Sequence, residues 1–504
     1  MKRTLSFITA VSLFLGVFLF SSPAAADGEI YVTPTQYQTQ YYSQGTFSQI
    51  QKITNVDNFR EYLNNGFRKC NKRIDLSSFN IPATDANFDA IWDLIFDEMP
   101  EAFHVSNGSL TYNASKIMYI EVNYKYSSSD YNAIYTKCQQ SAAKILKGIK
   151  GNSSLSDVEK ALLIHDRLAL YSEYDYKNLQ SNTLPYSSYN IYGILGLGIG
   201  VCQGYAEAYD FLLEKVGIES YICSSSALNH AWNIVYIYGK PYHVDVTWDD
   251  PGFSSSKLAL EGYVLHNNFL LSTSALYNGV NGSGGHTASD YDRSPTDVTY
   301  DNYYWQNSKT AFQLVNNELY YIDTSNAQIK NARTGESLHS VQDTWWINDS
   351  QYFIGNFSKL ASDGNSLFYS LSGSICRFDP VTRVSETVFI PDPSYYANPT
   401  IYGFSYEDGN FYMDLNSNKN YDADAMKRFY YVYSDTVTGD VNYDRAVNMK
   451  DAMALVRYMA GWYNGMNPLP VNLDAADINC DGNVNAKDTL YIIRYLAGWP
   501  DYAL

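Results

Sequence analysis

The stretch GIGVCQGYAEAYDFLLEK, residues 198–215, sets a single cysteine between a glycine-rich approach and a run with apolar residues at helical spacing. Cys202 in that position is a packed small hydrophobe, half of a disulfide, or a nucleophile. A thiol at a helix start lies beside unpaired first-turn N–H groups and the positive end of the helix dipole, and both favour the thiolate. Gly217 closes the run as a helix C-terminal cap would. Strand-like SYICSS, HAWNIVYIYG and PYHVDVTWDD follow, the last two joined through Gly239, so the unit carries its helix ahead of its sheet.

A thiol nucleophile also needs a base, and His230 and His243 both offer one. A two-residue turn at Gly239–Lys240 sets Asp245 opposite Ile234, an even number of residues from His230. The two side chains then share a face but stand about 13 Å apart along the strand. His243 has the parity of Asp245, so on the residues alone it stays open beside His230. Cys223 sits in an apolar strand-like run with no helix start behind it and reads as structural.

Taken together, GVCQGYAEAY, NHAWNIV and YHVDVTWDDP resemble the core of the bacterial transglutaminase-like superfamily, whose fold is related to papain. The resemblance spans roughly residues 155–255. It implies Cys202 as nucleophile, His230 as base and Asp245 as the orienting acid, with His243 a strand residue beside them. Gln203 departs from the glutamate that bacterial members often carry after the cysteine. The oxyanion would fall to backbone N–H groups near Cys202, and Trp232 and Trp248 either wall the cleft or belong to the core. The implied function is a cysteine enzyme attacking a peptide or isopeptide amide through a thioester, as a peptidase, amidase or protein-glutamine transglutaminase. The alternative is a catalytically silent, transglutaminase-like binding component. A polysaccharide hydrolase finds no convincing carboxylate pair, because Asp249–Asp250 reads as a turn closing the strand.

The chain ends in a repeat: GDVNYDRAVNMKDAMALVRYMAGW, residues 439–462, aligns with ADINCDGNVNAKDTLYIIRYLAGW, residues 476–499. Each copy places oxygen donors at positions 1, 3, 5, 9 and 12 of a loop and a backbone carbonyl at position 7, the ligand order of an EF-hand. The donors are Asp440, Asn442, Asp444, Ala446, Asn448 and Asp451, then Asp477, Asn479, Asp481, Asn483, Asn485 and Asp488. Asp takes the place of the usual Glu at position 12, and Arg445 that of Gly at position 6 in the first copy. Over residues 436–500 the arrangement resembles a type I dockerin. That resemblance implies two structural calcium ions and a cohesin domain of a scaffoldin as partner. The expected contact residues are Met449, Lys450 and Arg457 in one half and Ala486, Lys487 and Arg494 in the other.

At the other end, MKRTLSFITAVSLFLGVFLFSSPAAADGE has two basic residues, an apolar run and small residues at Ala24–Ala26, the pattern of a secretory signal peptide covering residues 1–26. The expected setting is secreted and bound to a cellulosome, with no membrane insertion. A net charge of −18 argues against nucleic acid as a partner. Six widely scattered cysteines form no dense disulfide framework, and Cys70–Cys138 is one possible pair.

Residues 27–154 mix helix and strand signals. Ser156 with Glu159 forms a capping-box pattern at the head of a helix that carries His165, which reads as a packed histidine. Residues 155–290 then hold the transglutaminase-like core. From 300 to 430 short aromatic runs recur, with LYYI at 319, LFYS at 367 and FYMD at 411, as in successive β-meanders or blades of a partial propeller. Tandem Trp345–Trp346 reads as packing. The expected whole is a multidomain α+β chain: a papain-like core, an all-β region and a small helical dockerin.

Overall fold

The computed structural model describes residues 30–32, 56–225, 227–252, 260–281, 285–286, 295–391, 398–417, 421, 426–433, 438–442, 447–464, 471–479, 483–499 and 502. The expected signal peptide lies outside them, as do Asp444, Ala446 and Asp481 of the repeat. Two compact units emerge, one of residues 1–405 with 413–429, the other of 406–412 with 430–504. The architecture is a mixed α+β core, a β-rich region and a small helical segment at the end.

The first unit opens with an antiparallel sheet in which Val105–Tyr112 lies between Ile30–Val32 and Ile117–Tyr124, with Arg73–Asp75 on the far edge. Helices Val56–Arg68 and Asp85–Asp97 cover it, and Phe59, Leu63, Ile91 and Trp92 share one core with Leu110, Ile120 and Val122. Helix Ser128–Ile145 leads into helix Asp157–Tyr171, where Ser156 and Glu159 close the expected capping box. The cysteine-bearing run forms helix Cys202–Glu214, with Gly217 at φ +78° just past its end. Its Tyr205, Tyr209 and Leu212 pack with Val235, Val244 and Phe269 of the next sheet.

That antiparallel sheet runs Phe269–Leu271, Lys240–Val244, His230–Ile237, Ser220–Ser225. Its hairpin corrects the expected register. Ile237 pairs with Lys240 and Ile234 with His243, so the turn is Tyr238–Gly239, at φ +50° and +76°. Positive φ at both central residues is the geometry that matches strand twist in a two-residue loop. The shift leaves parity intact and halves the offset, because the next step of the ladder sets Asp245 across from Trp232 rather than Ile234.

Two four-stranded antiparallel meanders follow, Gln313–Val315, Glu318–Asp323, Gln328–Asn331, Ser337–Ser340 and then Leu360–Ser362, Leu367–Ser370, Ile375–Phe378, Ser385–Phe389. Ile322, Ile329, Leu360, Leu367 and Phe378 join them in one core. Trp345 is fully buried, and its indole N–H donates to the Ile401 carbonyl, so the tandem tryptophan packs as expected on its first member.

The described cysteines are all free. The possible Cys70–Cys138 pair is therefore corrected: the Cys70 thiol faces the Tyr126 carbonyl and the Cys138 thiol the Ile191 carbonyl.

In the second unit, helices Met449–Met459 and Ala486–Leu496 pack on each other, and Val441, Leu455, Ile478 and Ile492 share their core. Among the described residues no helix is long and apolar enough to cross a membrane.

Candidate functional site

Cys202 opens its helix half-buried, with Val201 as N-cap. The glycine two positions on has a steric reason, since a Cβ on Gly204 would come within 2.7 Å of the Ser188 carbonyl oxygen. The helix start is thereby pressed against the loop that precedes it, and Val201 N–H donates to the same carbonyl. Gln203 turns along the helix to Glu207.

His230 begins its strand, paired with Ser225, and its ring lies between the indoles of Trp232 and Trp248, with centroids at 5.7 and 5.3 Å. Its Nε2 meets Asp245 Oδ2 at 2.6 Å. Asp245 follows strand Lys240–Val244 and caps the short helix Val246–Asp249, its Oδ1 accepting from Trp248 N–H. The same Oδ2 also takes His286 Nε2 at 2.9 Å. Burial lowers the His230 pKa, but the charge and hydrogen bond of Asp245, and then Cys202, raise it to about 10. Burial would raise Asp245, yet His230 and His286 hold it well below the usual carboxylate range.

The atoms that gather here belong to His230, Asp245 and His286, with one ligating atom of each within 4.8 Å of the others, and no thiol is in that group. The expected Cys202–His230–Asp245 triad is corrected at its thiol end. Cys202 reaches the His230 ring through a side-chain hydrogen bond as well as its charge, but the carboxylate is shared between two imidazoles rather than dedicated to one base. With the triad goes the reading as a cysteine peptidase, amidase or transglutaminase, and the alternative is better supported.

His286 was invisible in the sequence. It stands alone in the glycine- and serine-rich run GSGGHTAS, with no periodic element around it. Only a roll of all seven histidines would have raised it. His243 is a packed strand residue, as the resemblance implied: its Nδ1 accepts from Trp232 Nε1, its Nε2 lies 3.1 Å from Thr273 Oγ1, and burial and His286 push its pKa down to about 3.

A second buried cluster stands on His165. Its Nδ1 meets Asp166 Oδ1 at 2.8 Å and its Nε2 meets Asp249 Oδ2 at 3.2 Å. His266 Nε2 reaches the same Asp166 Oδ1 at 2.9 Å, while Asp166 Oδ2 accepts from Phe312 N–H. Asp249 also accepts the backbone and side-chain N–H groups of Asn268. Neither aspartate of TWDDP is thus a plain turn residue, as Asp250 is buried as well and takes the Tyr205 hydroxyl.

Burial lowers the His165 pKa, but Asp166 and Asp249 raise it to about 9, and the two histidines bring Asp166 down to about 2 against its own burial. The groups facing His165 are these two carboxylates, His266, and the edge of Tyr209. A raised histidine adds stability that is whole below pH 6.5 and is lost as pH climbs through 9. A depressed aspartate adds stability above pH 3.8 that is lost as pH falls through 2. The expected result is an unfolding free energy that drops by about 3 kcal/mol more in the wild type than in His165→Gln on going to high pH. Urea titrations along a pH series check it, and parallel curves for the two proteins would refute it.

In the repeat, the position-12 carboxylates do the same work twice. Asp451 Oδ1 accepts from Val441 and Asn442 N–H and Oδ2 from Asn448 N–H. Asp488 accepts from Ile478, Asn479 and Asn485 in the same pattern. Asn448 and Asn485 cap their helices, so loop positions 9 and 12 form a capping box in each copy. The all-oxygen donor set with Asp440, Asp451 and Asp488 buried suits a hard cation. Met449, Lys450, Arg457, Ala486 and Lys487 are exposed and Arg494 half-buried.

Compared with known proteins, residues 139–246 match the model of the transglutaminase-like superfamily, and residues 438–497 that of the dockerin type I domain. The chain carries a transglutaminase-like domain and a type I dockerin domain. Among solved structures, one titled "Crystal structure of a TGase" is similar at 16% identity over 32% of this chain, with a TM-score of 0.21. The likeness spans 49% of that chain, about half its length. No curated protein matches. The matched part of the transglutaminase-like domain ends at residue 246, so Asp249, His266 and His286 are supplied from beyond it.

Proposed function

We propose that this protein is a non-catalytic, transglutaminase-like binding component of a cellulosome, secreted and tethered by calcium-dependent docking to a cohesin. The observation that supports it is the pairing of a type I dockerin with a transglutaminase-like fold whose charged cluster is His–Asp–His and lacks a thiol. On this reading residues 1–26 are the export signal, residues 27–430 recognise protein or carbohydrate of the plant wall, and residues 436–500 dock. Two calcium ions are held, one by Asp440, Asn442, Asp444, Asn448, Asp451 and the Ala446 carbonyl. The other is held by Asp477, Asn479, Asp481, Asn485, Asp488 and the Asn483 carbonyl. Met449, Lys450 and Arg457, or their counterparts Ala486, Lys487 and Arg494, face the cohesin.

The test has two arms on the full chain. Capture by a type I cohesin is expected in calcium and lost in EDTA, and capture that survives EDTA overturns calcium-dependent docking. Incubation with glutamine-bearing peptide and an amine is expected to release no more ammonia than Cys202→Ser does. Turnover that Cys202→Ser abolishes overturns the non-catalytic reading.

A further inference from the structure

We propose that His230, Asp245 and His286 form a binding site for a divalent d-block cation of the zinc class. The inference goes beyond the binding role above and does not depend on it. Two imidazole nitrogens converge on one carboxylate oxygen, at 2.6 and 2.9 Å. Two nitrogens and one oxygen make the three-ligand set that leaves a tetrahedral zinc one open position. Imidazole ligands select zinc, copper or nickel over calcium and magnesium, which prefer oxygen.

The surroundings hold these ligands in place. Asp245 Oδ1 is tied to Trp248 N–H, which fixes the carboxylate and leaves Oδ2 for the cation. The indoles of Trp248 and Trp232 lie against the His286 ring at 4.0 and 4.8 Å between centroids and also flank His230. Such an apolar shell orients the rings and limits competing water. His286 Nδ1 is buried with no hydrogen-bond partner, so the ring is committed on one nitrogen only.

The second His–Asp–His cluster sharpens the argument by contrast. His165, Asp166 and His266 are as close to one another, but every polar atom is spent: on Asp249, on Phe312 N–H, and on the Ser308 carbonyl facing His266 Nδ1. All of its members are fully buried. In the first cluster His230 keeps 9% of its surface open, so a cation has a way in.

The experiment adds zinc chloride, and in parallel cobalt chloride, to the calcium-loaded full chain. The expected result is one zinc per chain by calorimetry and a visible tetrahedral cobalt spectrum. His286→Ala and His230→Ala each remove a ligand and should weaken zinc binding by more than about 100-fold, the upper end of what loss of an outer-shell partner costs. Near-ultraviolet circular dichroism confirms that each variant is folded, and cohesin capture should be unchanged. A wild type that binds no zinc at micromolar concentration, or folded variants that bind it equally well, overturns the proposal.

Discussion

Asp249→Ala is expected to destabilise the transglutaminase-like domain by about 3–5 kcal/mol, the range for removing one partner from a buried charge pair. Asp249 is fully buried and takes His165 Nε2 together with both N–H groups of Asn268. Alanine leaves those donors in the protein interior, where the desolvation penalty of each is no longer offset. It also leaves His165 with Asp166 alone to balance its charge. Asp249→Asn keeps the shape but turns an amide N–H toward groups that donate, so it should recover only part of the loss. Urea unfolding followed by tryptophan fluorescence measures both variants, and a loss below about 1 kcal/mol for the alanine would mean the network is not what holds this region.

The second large effect concerns the dockerin. Asp440→Ala combined with Asp477→Ala is expected to weaken cohesin capture more than about 100-fold and to leave the dockerin helices largely unformed. Calcium binding to a small domain is itself folding free energy. Asp440, Asp451 and Asp488 are buried, and the core beside them is small, resting on residues such as Val441, Leu455, Ile478 and Ile492. Each single substitution removes one donor from one loop and should cost less than half of the double loss in free energy. Calorimetric titration with calcium, followed by cohesin binding, separates folding from contact. A double variant that binds cohesin like the wild type would remove the calcium loops from the docking account.

What could be read in advance follows from how local each signal is. The dockerin was legible because its expected donors lie within twelve-residue loops and the pattern occurs twice, and the capping box at Ser156 was legible because it too is local. The β-meanders showed as recurring LYYI and LFYS runs, which fall on the second strand of each four-stranded unit. The hairpin register was missed by two residues because Tyr238, at φ +50°, gives no hint of a left-handed turn position. Parity survived that error, and so the closeness of His230 and Asp245 was foreseen on the right face but at twice the separation along the strand. The long-range partners in the polar clusters were not legible. His165 finds Asp249 84 positions away and Asp166 finds His266 100 positions away, distances over which periodicity carries no information. His286, from a run of small residues, turned an expected triad into a different grouping.

The hydrogen bond from Phe312 N–H to Asp166 Oδ2 has a practical corollary for anyone dividing this chain. An expression fragment ending near residue 300 would keep every residue matched to the transglutaminase-like superfamily and still strip a fully buried carboxylate of its backbone donor. It would also remove Trp305, Phe312, Leu319 and Tyr321 from the core they share with the cysteine-bearing helix. The β-rich stretch is therefore not detachable cargo behind an autonomous head. For recombination, swapping or truncation, the smallest inheritable piece of the fold runs through the first meander.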